Sequence, residues 1–322
     1  MTSPIDPGPE GALQDRGPLR HDAGDRTQPS GWWHRGPKRR WITERVARRP
    51  VVVALLTLGT FMGSPPRGTT LVALVVAGAM VVAAPWVAHR WWAWASLLLL
   101  AAWGTLVTAP WLDLDNHHVL KLYWLAALAL TCVAHDRRAT LARAARLLIG
   151  FVFAFAVLWK LLSPDFASGE FLTYILSTDR NADRVAAAVG WHDPEVTAEN
   201  RQVIGELRRH VASAPEPVEL TVPERTQAHA RTLSLAALAL EAAVALMFLM
   251  PLRGRWRLAR EATLLTFLAT TYSVLPVFGF GGLLAAMGLA QSDLTDRRAI
   301  TLYVSAWAVV GLATVPALGL FG

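Results

Sequence analysis

The sequence predicts an all-α fold: a polytopic helical membrane protein of about eight transmembrane helices, each needing roughly 20 apolar residues to cross a bilayer. Three observations lead there. Of the 322 residues, 53% are hydrophobic, and the mean hydropathy is +0.34, richer than water-soluble domains usually are. The apolar residues fall in continuous runs. Lipid offers no partner for backbone N–H and C=O groups, so each run must be a helix, and the lack of strict alternation argues against a β-barrel. The arginines sit in the short segments between the runs, where positive charge belongs on the cytoplasmic side.

Taken in order, residues 1–33 are rich in Pro, Gly, Asp and Arg without apolar periodicity, which predicts disorder. No apolar core of a secretory signal occurs near the start. Residues 34–49 are basic and carry Trp41, a composition suited to an anionic leaflet. Residues 1–49 together read as a disordered basic cytoplasmic tail. Apolar segments then occupy 51–63, 70–88, 91–111, 117–134, 147–162, 232–252, 262–291 and 300–320. The segment 262–291 is long enough for one tilted helix or two shorter pieces broken at Pro276. Residues 50–322 read as the transmembrane domain.

Orientation follows from loop charge. A cytoplasmic tail places Arg137, Arg138, Arg143 and Arg146 inside by parity, with Arg253, Arg255, Arg257 and Arg260. The acidic segment Trp111–Asn116 then falls outside. Arg297 and Arg298 fit only if 262–291 is a hairpin. The long segment 163–231 is placed outside as a small helical cap. The expected location is the cell (cytoplasmic) membrane. The net charge of +7 is explained by this topology, and no nucleic-acid partner is expected. The single cysteine, Cys132, allows no disulfide within the chain.

Ionisable groups inside apolar helices are costly and mark functional sites by default. Four stand out: His117, Lys121, Lys160 and Glu241. The only lysines are Lys38, Lys121 and Lys160 in a chain that otherwise uses arginine. A lysine at a helix end can snorkel, but arginine does that equally well. Only lysine can lose its proton near neutrality when desolvated, as a general base must. His117 and Lys121 are four residues apart and share a helix face, which Trp124 continues. The His117-His118 pair is a poor metal site, since adjacent helical side chains diverge and no Cys or carboxylate accompanies them; no metal is expected. Glu241 lies near mid-membrane and should be protonated or paired, with Lys160, Lys121 or backbone groups as candidate partners. The stretch Thr270–Gly282 mixes polar residues, Pro and Gly at membrane depth, either lining a cavity or packing closely.

At these positions the chain resembles a family. Asn116-His117 followed by Leu120, the segment Phe151–Phe171 with Lys160-Leu161 before a turn, Leu233–Arg257 with its internal Glu241, and Phe278–Gly281 are similar to motifs of the HTTM (horizontally transferred transmembrane) domain. That domain is shared with vitamin K-dependent γ-glutamyl carboxylase, and the likeness covers roughly residues 45–315. The resemblance implies that Lys160 is the base that deprotonates a reduced quinone, vitamin K-like, and that His117 assists. It implies an outward-facing pocket for an isoprenoid quinol or lipid ligand, with Lys121, Trp124, Glu241 and Tyr272 as candidate binding residues. Thr271-Tyr272 stands where the family often has a histidine. The carboxylase's large C-terminal domain has no counterpart in these residues, so a peptide substrate is the less expected ligand. The alternative expectation is a non-catalytic DoxX-like membrane subunit or a small-molecule transporter, with Lys160 and Glu241 as a structural pair.

Overall fold

The computed structural model describes residues 38–63, 70–107, 116–179, 194–209, 220–274 and 277–314. Among these residues every regular element is helical. Helix α1 spans Lys38–Gly63, α2 Thr70–Val82, α3 Ala84–Val87 and α4 Trp91–Ala102, which runs on into a π-helical turn at Trp103–Val107. Next come α5, Asn116–Val133, and α6, Arg137–Leu162. Three shorter helices, α7 (Pro164–Ser168), α8 (Glu170–Thr178) and α9 (Pro194–Arg209), precede α10 (Glu224–Leu249). The chain closes on α11 (Trp256–Val274), α12 (Phe278–Gln291) and α13 (Asp296–Thr314).

Two helices, α6 and α10, are each 26 residues long and apolar enough to cross a membrane. They form the most extensive helix pair in the molecule. Gly150 of α6 lets the two approach closely, because a β-carbon there would collide with the Leu249 side chain. Their outward surfaces stay apolar: Phe155, Trp159, Leu162, Leu235 and Leu246 are all exposed. Large exposed apolar surfaces mark membrane or protein contacts rather than surfaces meant for water.

The core is organised on α12. From Gly281 to Gln291 every residue is buried, and α1, α5, α6, α11 and α13 surround the helix. Its sequence, FGFGGLLAAMGLAQ, explains this: a helix apolar on all sides must be central, and small residues let neighbours come close. Indole groups stitch the bundle together. Trp124 donates to Thr57 Oγ1 at 2.9 Å and Trp307 to Thr60 Oγ1 at 2.8 Å. Both threonines return their protons to α1 carbonyls four residues back, at 2.8 Å.

Several sequence expectations are corrected in detail. The basic segment before residue 50 is not wholly a tail, since α1 already begins at Lys38. Helix-forming residues such as Glu44, Ala47 and Arg48 extend it, and Pro50 sits inside it. Residues 1–37 lie outside the described residues. The run 70–88 is not one helix. It breaks at Ala83, because Pro85 enters the first turn of α3 without an N–H to donate. The segment 262–291 resolves into two helices, α11 and α12, so the hairpin alternative holds. The acidic segment 111–116 lies outside the described residues apart from Asn116.

This hairpin gathers the basic loops at one end. Arg260, near the start of α11, bridges Asp293 after α12 at 2.9 Å. Arg49 of α1 bridges Asp296, the first residue of α13, at 2.8 Å, and donates to the Ser292 and Leu294 carbonyls at 2.7 and 2.8 Å. Arg137 and Arg138 share a cavity with Arg49. Arg143, Arg146, Arg257 and Arg260 line a second cavity of about 220 Å³.

At the other end, α7 to α9 follow α6. Gly169 closes α7 with a left-handed φ of +90°, and a β-carbon there would strike the Arg231 backbone of α10. Glycine is required on both counts. Leu172 and Leu176 of α8 pack on Ala230 and Leu233 of α10 as a small second core. Asn200 of α9 holds Thr221 through both backbone groups, its Nδ2 donating to the carbonyl at 2.9 Å and its Oδ1 accepting from the N–H at 3.1 Å.

Candidate functional site

Lys160 occupies the last turn of α6. Its ammonium donates to Glu241 Oε1 in a short ion pair between α6 and α10. Pro164 starts α7 immediately beyond, and this turn lays the Phe166 ring 4.6 Å from Lys160 Nζ. A cation facing an aromatic ring gains electrostatic attraction that grows as water is excluded. The ammonium therefore has two partners and is not left to the surroundings as a snorkelling side chain would be.

Glu241 is buried, 7% exposed, and was expected to need a partner; Lys160 supplies it. Only one of its oxygens is used. Oε2 is buried without a hydrogen-bond partner among the described residues. Tyr272, from the last turns of α11, is 3% exposed, and its hydroxyl also lacks a partner among those residues. Its ring meets Phe267 edge-on at 6.0 Å between centroids, and Phe267 meets Phe153 of α6 at 4.6 Å. Gly281 of α12 backs the Tyr272 ring so closely that a β-carbon would lie 2.9 Å from Cε2. Glu241 and Tyr272 lie within electrostatic reach of each other. Two buried oxygens without partners among the described residues are unusual, because each costs about 1–3 kcal/mol when left unsatisfied.

The remaining candidates lie on α5. His117 stacks on His118 with ring centroids 4.2 Å apart, and the charged groups facing it are Lys121 and His118. Lys121 is buried, 2% exposed. Trp124 is fully buried with its indole committed to Thr57, so it is a core residue of the α1–α5 contact. The structure thus pairs Lys160 with Glu241, and places His117 and Lys121 one turn apart on α5. No group of three or more potential metal ligands occurs among the described residues.

Sequence reasoning missed a second polar cluster at the basic end. Glu261 accepts from Tyr303 at 2.5 Å and from Gln291 Nε2 at 3.0 Å, all three buried. Glu261 precedes and Gln291 ends the apolar segment 262–291, so neither stood out in the sequence. Their offset of 30 residues, with the segment divided into α11 and α12, is the signal that places them opposite each other.

No family model matches the chain, and no curated protein or solved structure proves similar to it.

Proposed function

We propose that the chain is a polytopic integral membrane protein of about eight spans, of the HTTM type, with its basic end in the cytoplasm. Its Lys160–Glu241 pair, with Tyr272, handles a proton for a reduced quinone or similar lipid ligand on the opposite side. The observation that carries this reading is the buried ion pair with a carboxylate oxygen that has no partner among the described residues. A quinol hydroxyl could satisfy that oxygen. Proton transfer within the pair would give a neutral amine and a carboxylic acid, and a neutral amine can then accept the quinol proton. The apolar outer faces of α6 and α10, and the gathering of arginines at one end, support the membrane part of the proposal. His117 and Lys121 are the second polar group on that side and would act on a ligand long enough to reach both.

The test is spectroscopic. The full chain in nanodiscs is mixed anaerobically with phylloquinol, and the ultraviolet band of the quinolate is followed. The wild type should generate the anion. Lys160→Arg should bind but not generate it, because arginine cannot take the proton. Quinolate formation unchanged in Lys160→Arg would remove the lysine from the chemistry. A second reading, a purely structural pair, is favoured by the double engagement of the ammonium by Glu241 and Phe166. It predicts no quinolate in any form.

A further inference from the structure

A cavity of about 460 Å³ opens at the basic end of the bundle, well within the roughly 300–1,000 Å³ of small-molecule sites. Its walls are apolar: Val53 of α1, Trp94 of α4, Leu128 and Cys132 of α5, Leu141 of α6 and Ala290 of α12. Its mouth is polar, formed by Arg49, His89, Arg137, Arg138 and Asp296. Three guanidinium groups therefore face a single carboxylate. That carboxylate is already held by Arg49. Arg137 and Arg138 are exposed and make no hydrogen bond or ion pair with a described residue.

Two polar atoms of the lining residues are buried without a partner. They are Nε of Arg49, a residue 7% exposed, and Oγ1 of Thr131, a residue 6% exposed. Buried donors without partners are rare and call for a ligand or ordered water. Water alone suits the mouth but not the walls, since a water site needs two to four polar partners. A free anion would leave the apolar throat unused, and a neutral chain would leave the guanidiniums unanswered.

We propose that this cavity binds a single-chain amphiphile with an anionic, phosphate-like head. The alkyl or isoprenyl chain lies between Trp94, Leu128 and Leu141. The head lies against Arg137 and Arg138. The site stands apart from Lys160: Arg137 and Lys160 begin and end the same helix, about 35 Å apart at 1.5 Å per residue.

Cys132, the sole cysteine of the chain, reports on occupancy from the cavity wall. The full chain in phosphatidylcholine nanodiscs is labelled with a small methanethiosulfonate, with dodecyl phosphate, dodecanol or inorganic phosphate present. Dodecyl phosphate should slow labelling up to about fivefold at a concentration four times its Kd. Dodecanol and inorganic phosphate at the same concentration should not. R137Q/R138Q should reduce the effect of dodecyl phosphate to that of dodecanol. Native mass spectrometry gives an independent measure: the wild type should carry one dodecyl phosphate, and Leu141→Trp, which fills the throat from a half-buried position, should not. The proposal is overturned if dodecanol protects equally, if protection survives R137Q/R138Q, or if inorganic phosphate alone protects. Absence of both protection and adduct overturns it as well.

Discussion

Removing Lys160 isolates the energetics of the α6–α10 pair. In Lys160→Met the Glu241 carboxylate, with only 10% of its side chain exposed, loses its single ionic partner. Breaking a buried pair from one side costs about 3–5 kcal/mol, because the remaining charge stays uncompensated. The Lys160 side chain is 24% exposed, so the environment already screens part of the pair. The lower end, about 3 kcal/mol, is therefore expected. Glu241→Gln should cost less, about 1–2 kcal/mol, since the ammonium keeps Phe166 and can turn outward at the helix end. The double variant Lys160→Met/Glu241→Leu removes both charges and should return to within about 1 kcal/mol of the wild type. Equilibrium unfolding of the purified protein in mixed micelles, followed by circular dichroism, measures all four corners of this cycle. Refutation would take the form of additive single effects, with no coupling beyond about 0.5 kcal/mol. The pair would then be a surface contact rather than a buried one.

Other consequences can be checked in the same way. Arg49→Met strips one ion pair and the donor to two carbonyls from the α12–α13 junction, and a loss of about 3 kcal/mol in unfolding free energy is expected. Gly288→Val drives a β-branched side chain into the Tyr303 ring that holds Glu261, so a drop of about 1–3 kcal/mol should appear as a lower thermal midpoint. Trp124→Phe keeps most of the packing volume but leaves the Thr57 hydroxyl without its indole donor, for a cost of about 1 kcal/mol by the same unfolding assay. His89 lies between α3 and α4, where burial first and Arg137 second hold its pKa below 6.5. A lowered histidine pKa favours the fold while the ring is neutral. That contribution is full above pH 6.5 and is lost as the pH falls from there through the lowered value. Stability measured against pH should therefore decline less below 6.5 in His89→Gln than in the wild type.

Much of the helical order could be read from apolar run length alone. The α6 and α10 segments are long, continuous and poor in breakers, so nothing competes with the helix. The folding of 262–291 into a hairpin was legible as an alternative, because Pro276 and the arginines beyond it both asked for a reversal. The partner of Glu241 was legible too, since a buried carboxylate needs a cation and few were at hand. The role of Trp124 was not: its place on the His117–Lys121 face does not show that its indole turns toward Thr57 of α1. Tyr272 stood out only as a departure from a resembling motif. Its place near Glu241 depends on the close seat that Gly281 provides. The Glu261 cluster was hidden because residues flanking an apolar run look the same whether they end in a loop or fold onto each other.

The guanidinium of Arg49 finds its acceptors 243 and 245 positions later in the chain, and Trp307 reaches back 247 positions to Thr60. At the roughly 5–20 residues per second of synthesis, a nascent chain would wait on the order of 12–50 s between making Arg49 and making its acceptors. During that interval the first helix has no mate for its charge. Arginine at the rim of the bundle tolerates the delay because water can hold it there. The last hairpin thus works as a closing clasp, and a ribosome that stalls before reaching it would leave an assembly with an open seam beside its first helix.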